Sequence, residues 1–152
     1  KVLVASPAVA TFDMKPEMSA KEITDELLPR LSKFDVVLLN FANGDMVGHT
    51  GNEKAAIKAM EFLDKQLQRI VPAVLELNGC VLIIADHGNC EQMWDNVHDV
   101  PLTSHTTNPV NFIMVSNEKF TVHDGGLSDI APTILKLADI EKPKEMTGES
   151  LV

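Results

Sequence analysis

The chain has 152 residues, of which 45% are hydrophobic, and 13 basic against 22 acidic residues give it a net charge of −9. This length is enough for one domain with a hydrophobic core. The acidic balance argues against nucleic acid as a partner, because proteins that bind the phosphate backbone need a basic face. No apolar run reaches the ~18 residues of a membrane helix. The chain begins at Lys1 rather than at methionine, and we expect it to be part of a longer protein.

The first third of the chain predicts a strand, a helix and a second strand. Residues 1–5, "KVLVA", are typical of a strand. Residues 19–33 have helical spacing, and Ser19 followed by Glu22 has the pattern of a capping box. Residues 34–41, "FDVVLLNF", predict a strand that is buried on both faces.

The remaining elements alternate in the same way. After a glycine-rich loop, residues 52–77 have apolar positions three and four apart, so they predict a long helix that Gly79 ends and Pro72 bends. A strand, a polar loop, another strand and a last helix capped by Ser128 follow, over residues 80–85, 86–109, 110–115 and 129–140. This order favours one α/β domain with a mainly parallel sheet flanked by helices.

Aspartates and histidines lie close to the ends of the predicted strands, with His105 just before the strand over residues 110–115. Asp45 and His49 lie in the loop "GDMVGHTGN", Asp86 and His87 in "ADHGN", and His105 in "SHTTNPV". Ligands gather at the carboxyl ends of strands in open α/β sheets. Each motif alone is more often an ordinary turn, but together they predict a site for zinc, manganese or a similar divalent ion.

The other histidines and the cysteines have plainer interpretations. His98 and His123 stand beside acidic residues, and we expect them to be solvated loop side chains. Cys80 and Cys90 have neither metal nor disulfide spacing, which favours a reducing, cytoplasmic compartment. Cys90 is expected to be a small buried thiol.

Several long motifs together resemble the cofactor-independent phosphoglycerate mutases of the alkaline phosphatase superfamily. They are "SPAVATFDMKPEMSA", "NFANGDMVGHTGN", "ADHGNCEQM", "SHTTNPV", "GGLSDIAPTIL" and "MTGESLV", which run nearly from end to end. The resemblance implies that residues 1–152 are the C-terminal portion of an alkaline-phosphatase-like metal-binding domain. The substrate-gripping domain and the N-terminal segment are then expected outside this chain.

The resemblance also implies an activity and its cofactors. The family interconverts 2-phosphoglycerate and 3-phosphoglycerate in glycolysis and gluconeogenesis, using two divalent ions, usually Mn²⁺, with Mg²⁺, Co²⁺ or Zn²⁺ as other possibilities. Asp45, His49 and His105 match the ligands of one ion, whereas Asp86 and His87 match part of the other ion's ligand set. The nucleophilic serine that carries the phosphoryl group is expected upstream, and the parent protein is expected to be a monomer.

One position departs from the family pattern. The family has an active-site lysine in "SPKVATYD" where this chain has Ala8. This departure puts full activity of the parent protein in question. Two alternatives to the mutase stay open, namely a metal-dependent phosphomonoesterase or phosphodiesterase of the same superfamily, and a non-catalytic module. The 152-residue chain alone is expected to be inactive.

Overall fold

The computed structural model describes residues 1–152 and contains four α-helices and four short β-strands. None of the helices is both long enough and apolar enough to cross a membrane. Helices α1 to α4 are Ala20–Leu27, Asn43–Gly48, Glu53–Glu76 and Ile130–Leu137. Strands β1 to β4 are Val81–Ile83, Trp94–Asp95, Val100–Pro101 and Ile113–Val115, and 3₁₀ turns lie at Phe12–Met14, Leu28–Lys33 and Leu127–Asp129. The α/β composition expected from the sequence is confirmed.

Helix α3 is the long helix predicted from apolar spacing. It begins after Asn52, whose side-chain oxygen accepts a hydrogen bond from the Ala55 backbone N–H at 3.2 Å. This contact satisfies one of the free N–H groups of the first turn. At the other end, Asn78 adopts a left-handed conformation with φ of 57°, and the N–H of Gly79 donates to the Val74 carbonyl. The helix therefore ends where the sequence predicts.

Helix α1 differs from its prediction at both ends. The Ser19 side chain does not cap the helix, because its hydroxyl donates to the Ala5 carbonyl at 2.6 Å instead. The predicted capping box is therefore wrong, and Ser19 ties the N-terminal segment to the start of α1. Pro29 ends the α-helical hydrogen bonding, and the chain continues as the 3₁₀ turn Leu28–Lys33.

The expected mainly parallel sheet is not what the strands of this chain form. Strands β1 and β4 pair antiparallel, with Leu82 opposite Met114, and β2 and β3 form a second antiparallel pair. Residues 1–5 and 34–41 belong to no strand, and Leu38 is 93% exposed. Neither segment takes part in a ladder with a strand of this chain, and a strand needs such pairing. The prediction of a buried strand over residues 34–41 is therefore wrong for this chain.

The hydrophobic core lies under α2, the helix that carries part of the predicted metal site. Val47 of α2 is fully buried, and α2 packs against the first half of α3. The core cluster comprises Met18, Val47, Ala55, Ala56, Ala59 and Met93. Because three of these residues are alanines of α3, the two helices can approach closely, and this packing fixes the position of α2.

The C-terminal segment folds back on α4. The Thr133 hydroxyl donates to the Asp129 carbonyl and accepts from the Leu151 backbone N–H at 2.9 Å. Ser128 lies within the 3₁₀ turn that precedes α4 and does not cap the helix, so that prediction is wrong. The Asp129 carboxylate accepts hydrogen bonds from the backbone N–H groups of Gly126 and Glu149, and these bonds join the turn to the chain end.

Candidate metal centre

Asp45 and His49 are presented by α2, in a stretch that the sequence predicted to be a loop without helical character. Asp45 lies in the first turn and His49 directly follows the last residue, with its N–H donating to the Asp45 carbonyl at 3.0 Å. Four residues make about one helical turn, so both side chains lie on one face. The distance from His49 Nε2 to Asp45 Oδ1 is 3.1 Å.

His105 reaches the same point from the loop between β3 and β4. Its Nε2 lies 2.9 Å from Asp45 Oδ1 and 3.0 Å from His49 Nε2. One ligand atom from each of Asp45, His49 and His105 lies within 4.8 Å of the other two. Atoms bound about 2.1 Å from one ion at right angles are about 3 Å apart, so this spacing fits a shared cation.

The hydrogen bonding of His49 adds a chemical reason for a cation here. Its Nδ1 lies 2.6 Å from the Thr103 carbonyl oxygen, which can only accept, so Nδ1 carries the proton. In the neutral ring, Nε2 then presents a lone pair toward the Asp45 carboxylate. A cation between this lone pair and the carboxylate would satisfy both atoms at their separation of 3.1 Å. A ring fixed through its other nitrogen to a backbone carbonyl is the usual arrangement of a metal-bound histidine.

His87 lies beside this group, and Asp86 lies at its rim. The His87 ring stacks on the His105 ring with centroids 3.6 Å apart. Its Nε2 is 3.7 Å from Asp45 Oδ1 and 3.6 Å from Asp86 Oδ1. The Asp86 side chain is 86% exposed. The structure thus brings four of the five predicted ligands together around Asp45 and leaves Asp86 facing outward.

The Asp45 carboxyl is held in its charged form. Burial alone would raise its pKa, but the hydrogen bond to His105, the charge of His49 and the Asn89 amide together lower the pKa below its ordinary value. A carboxylate that stays ionised is the form that binds a metal.

Two residues near the site were not singled out by the sequence. Asn89 is 6% exposed, and its Nδ2 lies 3.3 Å from Asp45 Oδ1. Glu91 accepts hydrogen bonds from the loop that carries His105. Both stand in the quoted motif "ADHGNCEQM", and only their proximity in sequence to His87 could have indicated a role.

Cys90 is a half-buried thiol, whereas the sequence predicts a buried one. Its Sγ donates to the Gly44 carbonyl at 2.8 Å, and burial raises its pKa, so it stays protonated. His98 is as expected, with a side chain 73% exposed, although its partner is Asp95 at 2.6 Å rather than Asp99.

Comparison with known families extends these observations. Residues 1–142 match the family described as the metalloenzyme superfamily. The chain belongs to the metalloenzyme superfamily. Membership in this superfamily agrees with the cluster of aspartate and histidine side chains, and it supports divalent metals as cofactors.

Curated members of the superfamily with high similarity carry a more specific name. The chain is 57% identical to a 2,3-bisphosphoglycerate-independent phosphoglycerate mutase of Clostridium acetobutylicum, over 99% of this chain and 30% of that protein. It is 54% identical to one of Acetivibrio thermocellus, over 100% of this chain and 30% of the relative. The resemblance found from the motifs is therefore confirmed, and the chain spans about 30% of the length of these relatives.

A solved structure also resembles this one. Leishmania mexicana phosphoglycerate mutase, in crystals at low cobalt concentration, matches with a TM-score of 0.86 and 34% identity. The match covers 97% of this chain and 30% of the other. The similarity therefore extends to 97% of the chain described here.

Proposed function

We propose that this chain is the metal-bearing part of a phosphoglycerate mutase that interconverts 2-phosphoglycerate and 3-phosphoglycerate in glycolysis and gluconeogenesis. The main support is the 57% identity to a mutase over 99% of the chain. The reaction would pass through a phosphoserine, with the nucleophilic serine outside these 152 residues. Within the chain, Ser19 and Ser128 are engaged with Ala5 and Asp129 respectively.

Two divalent ions are proposed as cofactors, with Mn²⁺ as the first candidate and Mg²⁺, Co²⁺ or Zn²⁺ as alternatives. Asp45, His49 and His105 would hold one ion, and the Nε2 and Oδ1 atoms about 3 Å apart support this set. Asp86 and His87 would supply part of the second set. When bound, such a pair of ions neutralises phosphoryl oxygens and lowers the pKa of a serine nucleophile.

The chain's own residues would orient this site. The Thr103 carbonyl fixes the tautomer and direction of the His49 ring. Asn89 holds the Asp45 carboxylate, and the stacked rings of His87 and His105 restrain each other. Restrained ligands lose little freedom on binding, which favours tight metal binding.

Titration of the metal-free protein with Mn²⁺ in a calorimeter tests the ligand assignment. The measurement uses the whole protein that carries this sequence. We expect Asp45→Asn and His49→Ala each to weaken binding at the first site strongly. His98→Ala is the matched control, because His98 also pairs with an aspartate but lies outside the cluster. If both ligand variants bind Mn²⁺ as tightly as the control, the assignment fails.

An activity measurement separates the mutase from the other enzyme class. The whole protein with Mn²⁺ should convert 3-phosphoglycerate to 2-phosphoglycerate without net release of phosphate. A phosphomonoesterase or phosphodiesterase of the same superfamily would instead release phosphate or cleave a diester. A protein that binds metal and catalyses none of these reactions would support the non-catalytic module.

The remaining properties of the whole protein are also proposals. An alkaline-phosphatase-like parallel sheet would form if residues 1–5 and 34–41 paired with strands from elsewhere in the protein. A cytoplasmic monomer that binds neither nucleic acid nor membrane agrees with two free cysteines and a net charge of −9. Gel filtration with light scattering tests the monomer.

A further inference from the structure

A cluster of polar side chains joins the two loops that supply His87 and His105. We name the contacts among Asn89, Glu91, Thr106 and Asn108 the loop bridge. Glu91 Oε2 accepts the Asn89 backbone N–H at 2.6 Å. Glu91 Oε1 accepts the Thr106 hydroxyl and the Asn108 side-chain amide, the latter at 2.9 Å. A single carboxylate therefore bonds to both loops.

Backbone contacts at the same point bring the loops close together. The Thr106 N–H donates to the Gly88 carbonyl at 3.0 Å. A Cβ on Gly88 would lie 2.2 Å from Thr106 Oγ1 and 2.5 Å from Glu91 Oε1. The loop bridge can form only because residue 88 has no side chain. Such close packing leaves the two loops little freedom to move apart.

The loop bridge is also connected to the third ligand segment. Asn89 is buried, and its Nδ2 lies 3.3 Å from Asp45 Oδ1 and 3.4 Å from the Asp45 carbonyl oxygen. Glu91 thus contacts Asn89, which contacts Asp45, and it also contacts Thr106, which directly follows His105. The distance from His105 Nε2 to Asp45 Oδ1 depends on how these loops are held.

We infer that Glu91 is a positioning residue of the metal centre, which holds the loop of His105 so that its Nε2 reaches Asp45. This inference rests on the proposed metal binding by Asp45, His49 and His105. Glu91 itself lies outside that ligand set and acts through its hydrogen bonds. Groups that orient metal ligands in this way typically change metal affinity by about 10–100-fold when they are removed.

The test compares Mn²⁺ affinity among variants of the whole protein by calorimetry. Glu91→Gln keeps the shape of the side chain. The amide has only one acceptor oxygen, whereas the carboxylate accepts hydrogen bonds with both of its oxygens. We expect it to weaken Mn²⁺ binding by about 10–100-fold. Thr106→Val removes the hydroxyl, which donates to Glu91 and accepts the Asn108 backbone N–H at 3.3 Å, and it should weaken binding in the same direction by a smaller factor.

A matched control and a rescue distinguish positioning from general stability. Asp129 also accepts hydrogen bonds from two separated segments, but it does so at the C-terminal end of the chain. Asp129→Asn should lower the melting temperature and leave Mn²⁺ affinity unchanged. The double variant Glu91→Gln with Asn108→Asp exchanges the donor and the acceptor in the contact between residues 91 and 108. It should recover part of the lost Mn²⁺ affinity.

The outcomes separate this inference from the function on which it rests. If the unmodified protein does not bind Mn²⁺, the proposed function fails and the inference fails with it. If the unmodified protein binds and Glu91→Gln and Thr106→Val bind equally tightly, only the inference is overturned. Equal losses of affinity in Glu91→Gln and Asp129→Asn would also overturn it, because general destabilisation would then explain both.

Discussion

Gly48 is a single residue whose lack of a side chain the candidate metal site requires. It is buried in α2 between Asp45 and His49. A Cβ at this position would lie 2.1 Å from Asn89 Oδ1 and 2.7 Å from its Cγ. Because residue 48 has no side chain, the Asn89 side chain can pack directly against α2 and reach the Asp45 carboxylate.

Gly48→Ala should therefore disturb both folding and metal binding. Asn89 would have to leave its place, and overpacking of this kind typically costs about 1–3 kcal/mol of unfolding free energy. Mn²⁺ affinity should fall as well, because Asp45 loses its amide contact. Gly44→Ala is the control, since its Cβ would have only Met60 Sδ as a neighbour, at 3.8 Å. Denaturant unfolding and calorimetry measure the stability and the Mn²⁺ affinity of both variants. Equal values for Gly48→Ala and Gly44→Ala would refute this role of Gly48.

Ala8 is the position where the chain departs from the family pattern. It is exposed and offers neither a charge nor a hydrogen bond. A cation beside a phosphoryl group stabilises the transition state, and such a contact is worth about 10²–10³ in rate. In the whole protein, Ala8→Lys should raise mutase turnover and leave Mn²⁺ affinity unchanged, because residue 8 is not in the ligand set. Kinetics of the two proteins side by side check this, and equal turnover would mean that another cation fills the role.

At the scale of elements, the sequence predicts the long helix better than the short ones. The apolar spacing over residues 52–77 predicts α3 because the pattern repeats over many turns. The short α2 was missed because six residues with two glycines carry no periodic pattern, and packing on α3 stabilises it instead. Ser19 was misassigned because its nearest acceptor, the Ala5 carbonyl, is distant in sequence.

Asp129 makes the junction between α4 and the chain end dependent on pH. The backbone N–H groups of Gly126 and Glu149 hold its pKa below the ordinary value of 3.8. A carboxyl with a lowered pKa in the folded protein stabilises the fold above its unfolded pKa, and it loses this effect as pH falls through the folded pKa. Asp129→Asn should therefore lower the melting temperature at neutral pH.

The difference in melting temperature between Asp129→Asn and the unmodified protein should then become smaller as the pH falls below 3.8. Melting curves recorded from neutral to acidic pH measure this difference. Asp124→Asn is the control, because it removes the same charge from an exposed side chain of the same region. A difference that stays constant over the whole pH range would contradict this account of Asp129.

At the scale of the molecule, the proximity of the aspartate and histidine side chains was easier to predict than the sheet. The residue types and short motifs around Asp45, His87 and His105 point to a metal whatever the topology of the strands between them. Strand pairing is different, because it depends on neighbours that the local sequence does not specify. The run over residues 34–41 has the composition of a buried strand, yet Phe34 is 61% exposed and Val36 is 55% exposed.

This exposed run leads to a prediction about the whole protein. A long apolar segment without a partner favours pairing with another strand edge. The relatives are about three times as long as this chain, since the chain covers 30% of them. We therefore expect residues 34–41 to pair with segments of the whole protein that lie outside these 152 residues, as the proposed parallel sheet requires.

Amide hydrogen exchange on two proteins tests this expectation. In the isolated 152-residue chain, the amides of residues 35–41 should exchange rapidly, because they have no ladder partner. In the whole protein, the same amides should be protected if they enter a sheet. The segment Val81–Ile83 is an internal control, because its pairing with Ile113–Val115 lies within this chain and should give protection in both. Rapid exchange of residues 35–41 in the whole protein, with Val81–Ile83 protected, would exclude a strand there and with it the parallel sheet.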